Sequence, residues 1–122
     1  MIFYIYIDFE NMSYLQTLPS ISNGRYFVFL GANQKDSIKY CQGIRVKKIK
    51  CERQEKDFLD CKLIDCFLKR KNIKNVYHYI ISKDKGFDSW INFTKATSPN
   101  TNIKRIENFN EIININNSKH LK

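Results

Sequence analysis

The sequence predicts an α/β fold, a parallel sheet with helices on both faces, from two observations. First, three short runs rich in β-branched and aromatic residues suit strands buried on both faces: residues 2–7 (IFYIYI), 25–30 (RYFVFL) and 76–81 (VYHYII). Second, segments of helical character lie between the strands, so strand and helix alternate along the chain. The length of 122 residues allows one core and not two, and a composition of 43% hydrophobic residues is globular.

The elements follow in order. Strand 2–7 ends at Asp8. A short helix over 11–18 closes at Leu18-Pro19, and Ser20 to Gly24 is a loop. Strand 25–30 ends at Gly31. Lys35 to Cys41 reads as a second short helix, broken by Gly43, and 44–49 (IRVKKI) as a third, more exposed strand. The clearest helix is 56–70, where Leu59, Leu63 and Phe67 repeat every four residues with Cys66 alongside. Its acidic start and basic end suit the helix dipole. Strand 76–81 leads to a turn at Lys85-Gly86 and a helix over Phe87 to Ala96, with Phe87, Trp90, Ile91 and Phe93 as its apolar members. Residues 102–106 (NIKRI) make a fifth strand, 109–115 add a helical turn or two, and 116–122 read as a frayed tail. No repeat or boundary interrupts residues 1–122, which read as a single domain.

Several functions drop out. No apolar run approaches the roughly 18 residues of a membrane span. The opening MIFYIYIDFE lacks a basic start and a cleavage site, so it reads as a strand rather than a signal peptide, and a cytoplasmic location is the default. The cysteines at 41, 51, 61 and 66 form no C-x-x-C pair, and with His78 and His120 they complete no zinc spacing; they read as small, reduced core residues. There is no G-x-G-x-x-G, and a carboxylate ends the first strand where a pyrophosphate needs N–H groups, which disfavours a dinucleotide site. Ile49-Lys50-Cys51 offers no Asp after strand three, as a phosphorelay receiver would need. The net charge of +9 favours a polyanion, RNA or DNA, as partner. A Lys-, Ile- and Asn-rich composition also follows from an AT-rich genome, so charge alone decides nothing.

The carboxylates carry the functional argument. In a parallel sheet, ligands bind beyond the carboxyl ends of the strands, where strand order reverses. Asp8 ends the first strand, followed by Glu10 and Asn11. Asp57 and Asp60 occupy the first turn of the helix after strand three, Asp84 follows strand four, and Asp88 begins the next helix. With the strand order 3-2-1-4-5, Asp8, Asp60, Asp84 and Asp88 converge in one crevice. Their repulsion is what a hard divalent cation relieves, and oxygen-only ligation suits Mg²⁺ or Mn²⁺. Such a site can activate water for attack on a phosphodiester. Taken singly, each acid has a plainer role: Asp8 as a cap, Asp84 as a turn residue, Asp57 and Asp60 as partners of the helix dipole. Asp65 reads as solvated and Asp36 as a cap.

At these residues the sequence resembles the PIN-like nucleases, in particular their NYN branch. Tyr6-Ile7-Asp8-Phe9-Glu10-Asn11 is similar to the family's first strand, which ends in D-x-x-N or D-x-E-N. Lys56-Asp57-Phe58-Leu59-Asp60 resembles the helix that supplies an internal acid. Ile80 to Asp88 resembles the fourth-strand motif S-x-D-x-x-F-D, and Phe29 to Lys35 the stretch after strand two in a bacterial subgroup. The ordered set spans about residues 1–107. Asp57 stands where the subgroup usually has Asn, which leaves open whether Asp57 or Asp60 faces the metal; the motif register favours Asp60.

The resemblance implies a three-layer, Rossmann-like α/β/α domain and Mg²⁺- or Mn²⁺-dependent endonuclease activity, usually on RNA. It implies that Asp8, Asp60, Asp84 and Asp88 are the catalytic, metal-binding residues. Asn11 would orient a ligand or phosphate, Ser82 would steady the Asp84 loop, and Lys83 and Lys85 would meet phosphates. Glu10 and Asp57 form a second tier. A nuclease domain this small often needs a homodimer or protein partner to complete its groove, and no residue marks one. The alternative is a non-catalytic nucleic-acid-binding or protein-interaction domain of the same fold, which would tolerate loss of an acid; none of the four is lost. Asp8-Phe9-Glu10 is also near the D-x-D motif of phosphatases, but that chemistry normally wants Asp at the third position.

Overall fold

Alternation along the central strand sets the architecture. The computed structural model describes residues 1–55 and 57–120, the last four by backbone alone. Strand β1 (Ile2–Asp8) lies in the middle of a five-stranded sheet with β3 (Gly24–Leu30), β5 (Arg45–Lys50), β6 (Val76–Ile81) and β7 (Ile103–Ile106). All four pairings are parallel, in the order β5-β3-β1-β6-β7. This is the expected 3-2-1-4-5 arrangement. Phe3, Ile5 and Ile7 point to one face; Tyr4 and Tyr6 point to the other.

Helices α1 (Phe58–Leu68) and α2 (Gly86–Thr97) cover the second face. α1 buries Leu59, Leu63, Cys66 and Phe67, the stripe its periodicity predicts. α2 buries Phe87, Ile91 and Thr94, with Trp90 edge-on to Phe67 at 5.2 Å. Phe93 is exposed, contrary to expectation, because two residues beyond Ile91 is about 200° around the helix. Helix α3 (Asn110–His120) packs Ile112 into the first face beside Phe109. It carries helix well past the turn or two expected; Leu121 and Lys122 of the expected frayed tail lie outside the described residues, as does Lys56, where the 56–70 helix was expected to begin.

The two short helices expected before the third sheet strand are absent. Residues 8–15 instead form successive four-residue turns: Asn11 N–H donates to Asp8 C=O, Met12 to Phe9 and Leu15 to Met12. The segments continue into a two-residue parallel ladder, β2 (Thr17–Leu18) with β4 (Lys39–Tyr40). Local side-chain bonds compete with helix in both places. Asp8 Oδ1 accepts from Asn11 N–H at 3.4 Å, and Asp36 Oδ1 from Ile38 N–H at 3.4 Å. Met12, Leu18, Ile21 and Ile38 nevertheless fill the first face, so these loops and α3 together form the layer on that side. The four cysteines are free; Cys51 and Cys66 are buried as expected, whereas Cys41 and Cys61 are exposed. Among the described residues no helix is long and apolar enough to cross a membrane.

Candidate active site

The period-2 alternation that buries Tyr4 and Tyr6 puts Asp8 on the α1/α2 face, and the same parity puts Ser82 there after Ile80. Register Ile7↔Ile81 brings them together across β1 and β6. Asp8 is fully buried. Its Oδ2 accepts from Asn11 Nδ2 at 2.7 Å and from Ser82 Oγ at 2.7 Å. A buried carboxylate without such donors would carry a large desolvation cost. Ser82 Oγ in turn accepts from Asp84 N–H at 3.0 Å, so one hydroxyl joins the ends of two strands.

Asp84 closes the turn into α2, its Oδ1 accepting from Gly86 N–H at 2.8 Å. A Cβ on residue 86 would lie 3.0 Å from that oxygen, so glycine lets the carboxylate lie against the backbone. Asp60 enters from the first turn of α1. Burial lifts its carboxyl to about 7, and the charges of Asp8, Asp84, Asp57 and Glu10 push the same way. These carboxylates therefore share one electrostatic neighbourhood. Asp57 precedes α1 with φ of 62°, in the left-handed region, and its side chain makes no capping bond.

A cleft of about 420 Å³ opens above these residues. Asp60, Asp84, Asp57, Glu10 and Glu55 line it, with Arg53 as a cation on its wall. Asn11 lines it too; Asp8 is fully buried and does not line it, but Asn11 bonds it from the cleft wall. Asp88 is placed differently. Both of its oxygens face Arg105, Nε at 2.7 Å and Nη2 at 3.2 Å, and this bonding holds its carboxyl below the usual range. Lys83 and Lys85 are exposed beside Asp84, and Lys83 Nζ sits 4.4 Å over the Tyr14 ring.

Two residues of the site escape sequence reasoning. Arg105, on β7, bonds Ser82 C=O at 3.0 Å as well as Asp88, and so ties β6, β7 and α2 together. Gln34 bonds Phe9 C=O at 2.8 Å and accepts from Gly31 N–H at 3.0 Å, which pins the loop after β3 to the segment after β1. Its only sequence signal is its place in the Phe29–Lys35 stretch. Glu10 lies so close to Gly31 that a side chain there would meet its carboxylate.

Among the described residues no group of three or more His, Cys, Asp or Glu is arranged to hold a metal ion by itself. The donor chemistry still fits Mg²⁺ or Mn²⁺. The set is all oxygen, and Mg²⁺ keeps several waters while using one or two carboxylates, which suits acids spread around a cleft. The repulsion that raises Asp60 is relieved by such an ion.

A family model described as a PIN domain matches residues 2–106. No curated protein and no solved structure gives a match.

Proposed function

The chain belongs to the PIN domain family, and from that premise we propose that it is a divalent-metal-dependent endoribonuclease of the NYN branch, acting in the cytoplasm. PIN domains are typically nucleases. The observation that supports this reading is the convergence of Asp8, Asp60 and Asp84, from three separate elements, on one edge of the sheet. Asp60 and Asp84 on the cleft wall, with the buried Asp8 close to Asp60, would hold Mg²⁺ or Mn²⁺ directly or through its waters; Glu10 and Asp57 stand by as second-tier donors. A bound ion supplies an activated water and neutralises charge on the phosphodiester, for products with a 5′-phosphate and a 3′-hydroxyl.

The protein's own groups set the frame. Asn11 and Ser82 donate to Asp8 and fix its carboxylate in place. Ser82 also steadies the backbone of Asp84. Asp88, the fourth acid of the motif, stands at the start of α2 in the grip of Arg105 and keeps that helix in register with the site. Lys83 and Lys85 flank Asp84 where phosphates of a bound strand would pass. RNA is the expected substrate and DNA the alternative, with a homodimer or protein partner completing the groove.

The test is cleavage of labelled single-stranded and structured RNA and DNA by wild type and Asp84→Asn, with Mg²⁺, Mn²⁺ or EDTA. RNA cleavage that needs metal and falls by about 10²-fold or more in Asp84→Asn is the expected result. Equal cleavage by both proteins overturns the site. Metal-insensitive RNA binding without cleavage favours the non-catalytic domain.

A further inference from the structure

The opposite edge of the sheet carries the reverse chemistry. A cavity of about 540 Å³ opens at the amino ends of β6 and β7, between the segments that follow α1 and α2. Lys71, Lys74, Asn72 and Asn100 line it, and no Asp or Glu does. Among the described residues Lys71 and Lys74 have no ion-pair partner.

A second, independent observation falls on the same wall. His78, on β6, lines this cavity and is 1% exposed. Its Nδ1 meets the Tyr6 hydroxyl at 3.0 Å, while Nε2 is the one buried side-chain N or O among the described residues without a partner. Burial, with the Arg70 charge adding to it, pulls the imidazole down to about 4, and burial raises the Tyr6 phenol. Both are therefore neutral at pH 7. With Tyr6 O–H donating to Nδ1, the ring proton sits on Nε2. The other tautomer would leave the Tyr6 proton unmet as well. An orphaned buried donor of this kind is destabilising unless an acceptor reaches it.

We propose that this cavity binds a nucleoside phosphate, with Lys71 and Lys74 on the phosphate and the His78 Nε2–H and the neighbouring asparagine amides on the nucleoside. The volume lies in the range of small-ligand sites. The paired lysine charges and absent carboxylates select an anion. The amides and imidazole offer the donors and acceptors that a base and a sugar require. The same chemistry is presented by a free mononucleotide and by one unit of an RNA strand. The site is separate from the carboxylate cleft, since β6 spans about 20 Å at roughly 3.3 Å per residue. It does not depend on the nuclease reading.

The experiment titrates UMP, AMP, inorganic phosphate and a 2′-O-methyl RNA oligonucleotide into the 122-residue chain without divalent metal. It follows the imidazole ¹H–¹⁵N resonances, for wild type, Lys71→Gln/Lys74→Gln and Asp84→Asn. A mononucleotide should shift the His78 Nε2 resonance saturably, and inorganic phosphate more weakly. Affinity should fall about tenfold in the double variant, as for loss of about 1.4 kcal/mol, and stay unchanged in Asp84→Asn. Both lysines lie on surface segments, so an unchanged melting temperature certifies the fold of the double variant. Competition by the oligonucleotide at His78 identifies an RNA strand as the source; its absence identifies the free nucleotide. A His78 resonance that no ligand moves, or equal affinity in wild type and the double variant, overturns the proposal. Because binding is read without metal, neither result depends on cleavage.

Discussion

Asp60 is the residue on which the electrostatics of the cleft register most strongly. Its carboxyl is raised to about 7, so in the absence of metal it binds a proton more tightly in the folded chain than in the unfolded one. Its contribution to stability is fully present below the ordinary value of 3.8 and is lost as pH rises through about 7. Asp60→Asn stays neutral at every pH. Its melting temperature in EDTA should therefore gain on wild type between about pH 4 and about pH 7, by roughly 2–6 °C, and hold that gain above. His78 runs the other way: lowered from 6.5 to about 4, it loses stability as pH falls through that interval. Comparing the variant with wild type at each pH isolates Asp60. Ser82→Ala removes one donor from the buried Asp8 carboxylate and frees the Asp84 backbone. It should cost about 1–3 kcal/mol in urea unfolding and slow RNA cleavage as well. At this scale the sequence was informative where chemistry sits in local motifs: Asp8 and Asp60 follow from a strand end and a helix start, and Ser82 from the motif resemblance. Arg105 and Gln34 could not be found that way, because the partners that tie them to the site, Asp88, Ser82 and Phe9, lie 17 to 25 residues distant and only the folded chain brings them close.

Among the elements, periodicity decided what could be read. The apolar runs of β1, β3 and β6 and the four-residue repeat of α1 are strong patterns, and each element stands where its pattern lies. The segments 11–18 and 35–41 have no such repeat. Asp8 and Asp36 offer their backbones side-chain bonds that favour turns, and a long-range ladder, Lys39 N–H to Gln16 C=O at 2.9 Å among its bonds, does the rest. That ladder joins residues far apart in sequence and leaves no local signature. The link between α2 and the sheet is the Arg105 fork, whose side chain is 12% exposed. Arg105→Met should destabilise the protein by about 1–3 kcal/mol and raise amide exchange at the start of α2. Arg105→Lys should recover only part, since an ammonium cannot reproduce two parallel bonds to Asp88.

For the whole molecule, charge is distributed by edge. Five carboxylates line the cleft at the carboxyl ends of the strands, and none lines the cavity at the amino ends. The net charge of +9 places the acidic cleft within a basic surface. Such a surface draws in a polyanion while the cleft alone attracts cations. RNA binding by a cleavage-deficient Asp84→Asn chain should therefore weaken steeply with salt, with a slope of about −0.7 for each phosphate contacted. A slope near zero would show that the basic surface takes no part. The central claim is that the carboxylates of the cleft together hold a divalent ion, and calorimetric titration of Mn²⁺ into EDTA-stripped wild type and Asp84→Asn tests it most directly. Saturable binding to wild type at pH 7.5, weakened about tenfold or more in Asp84→Asn, is the predicted result. Identical isotherms for the two proteins, or no saturable binding to either, would contradict it.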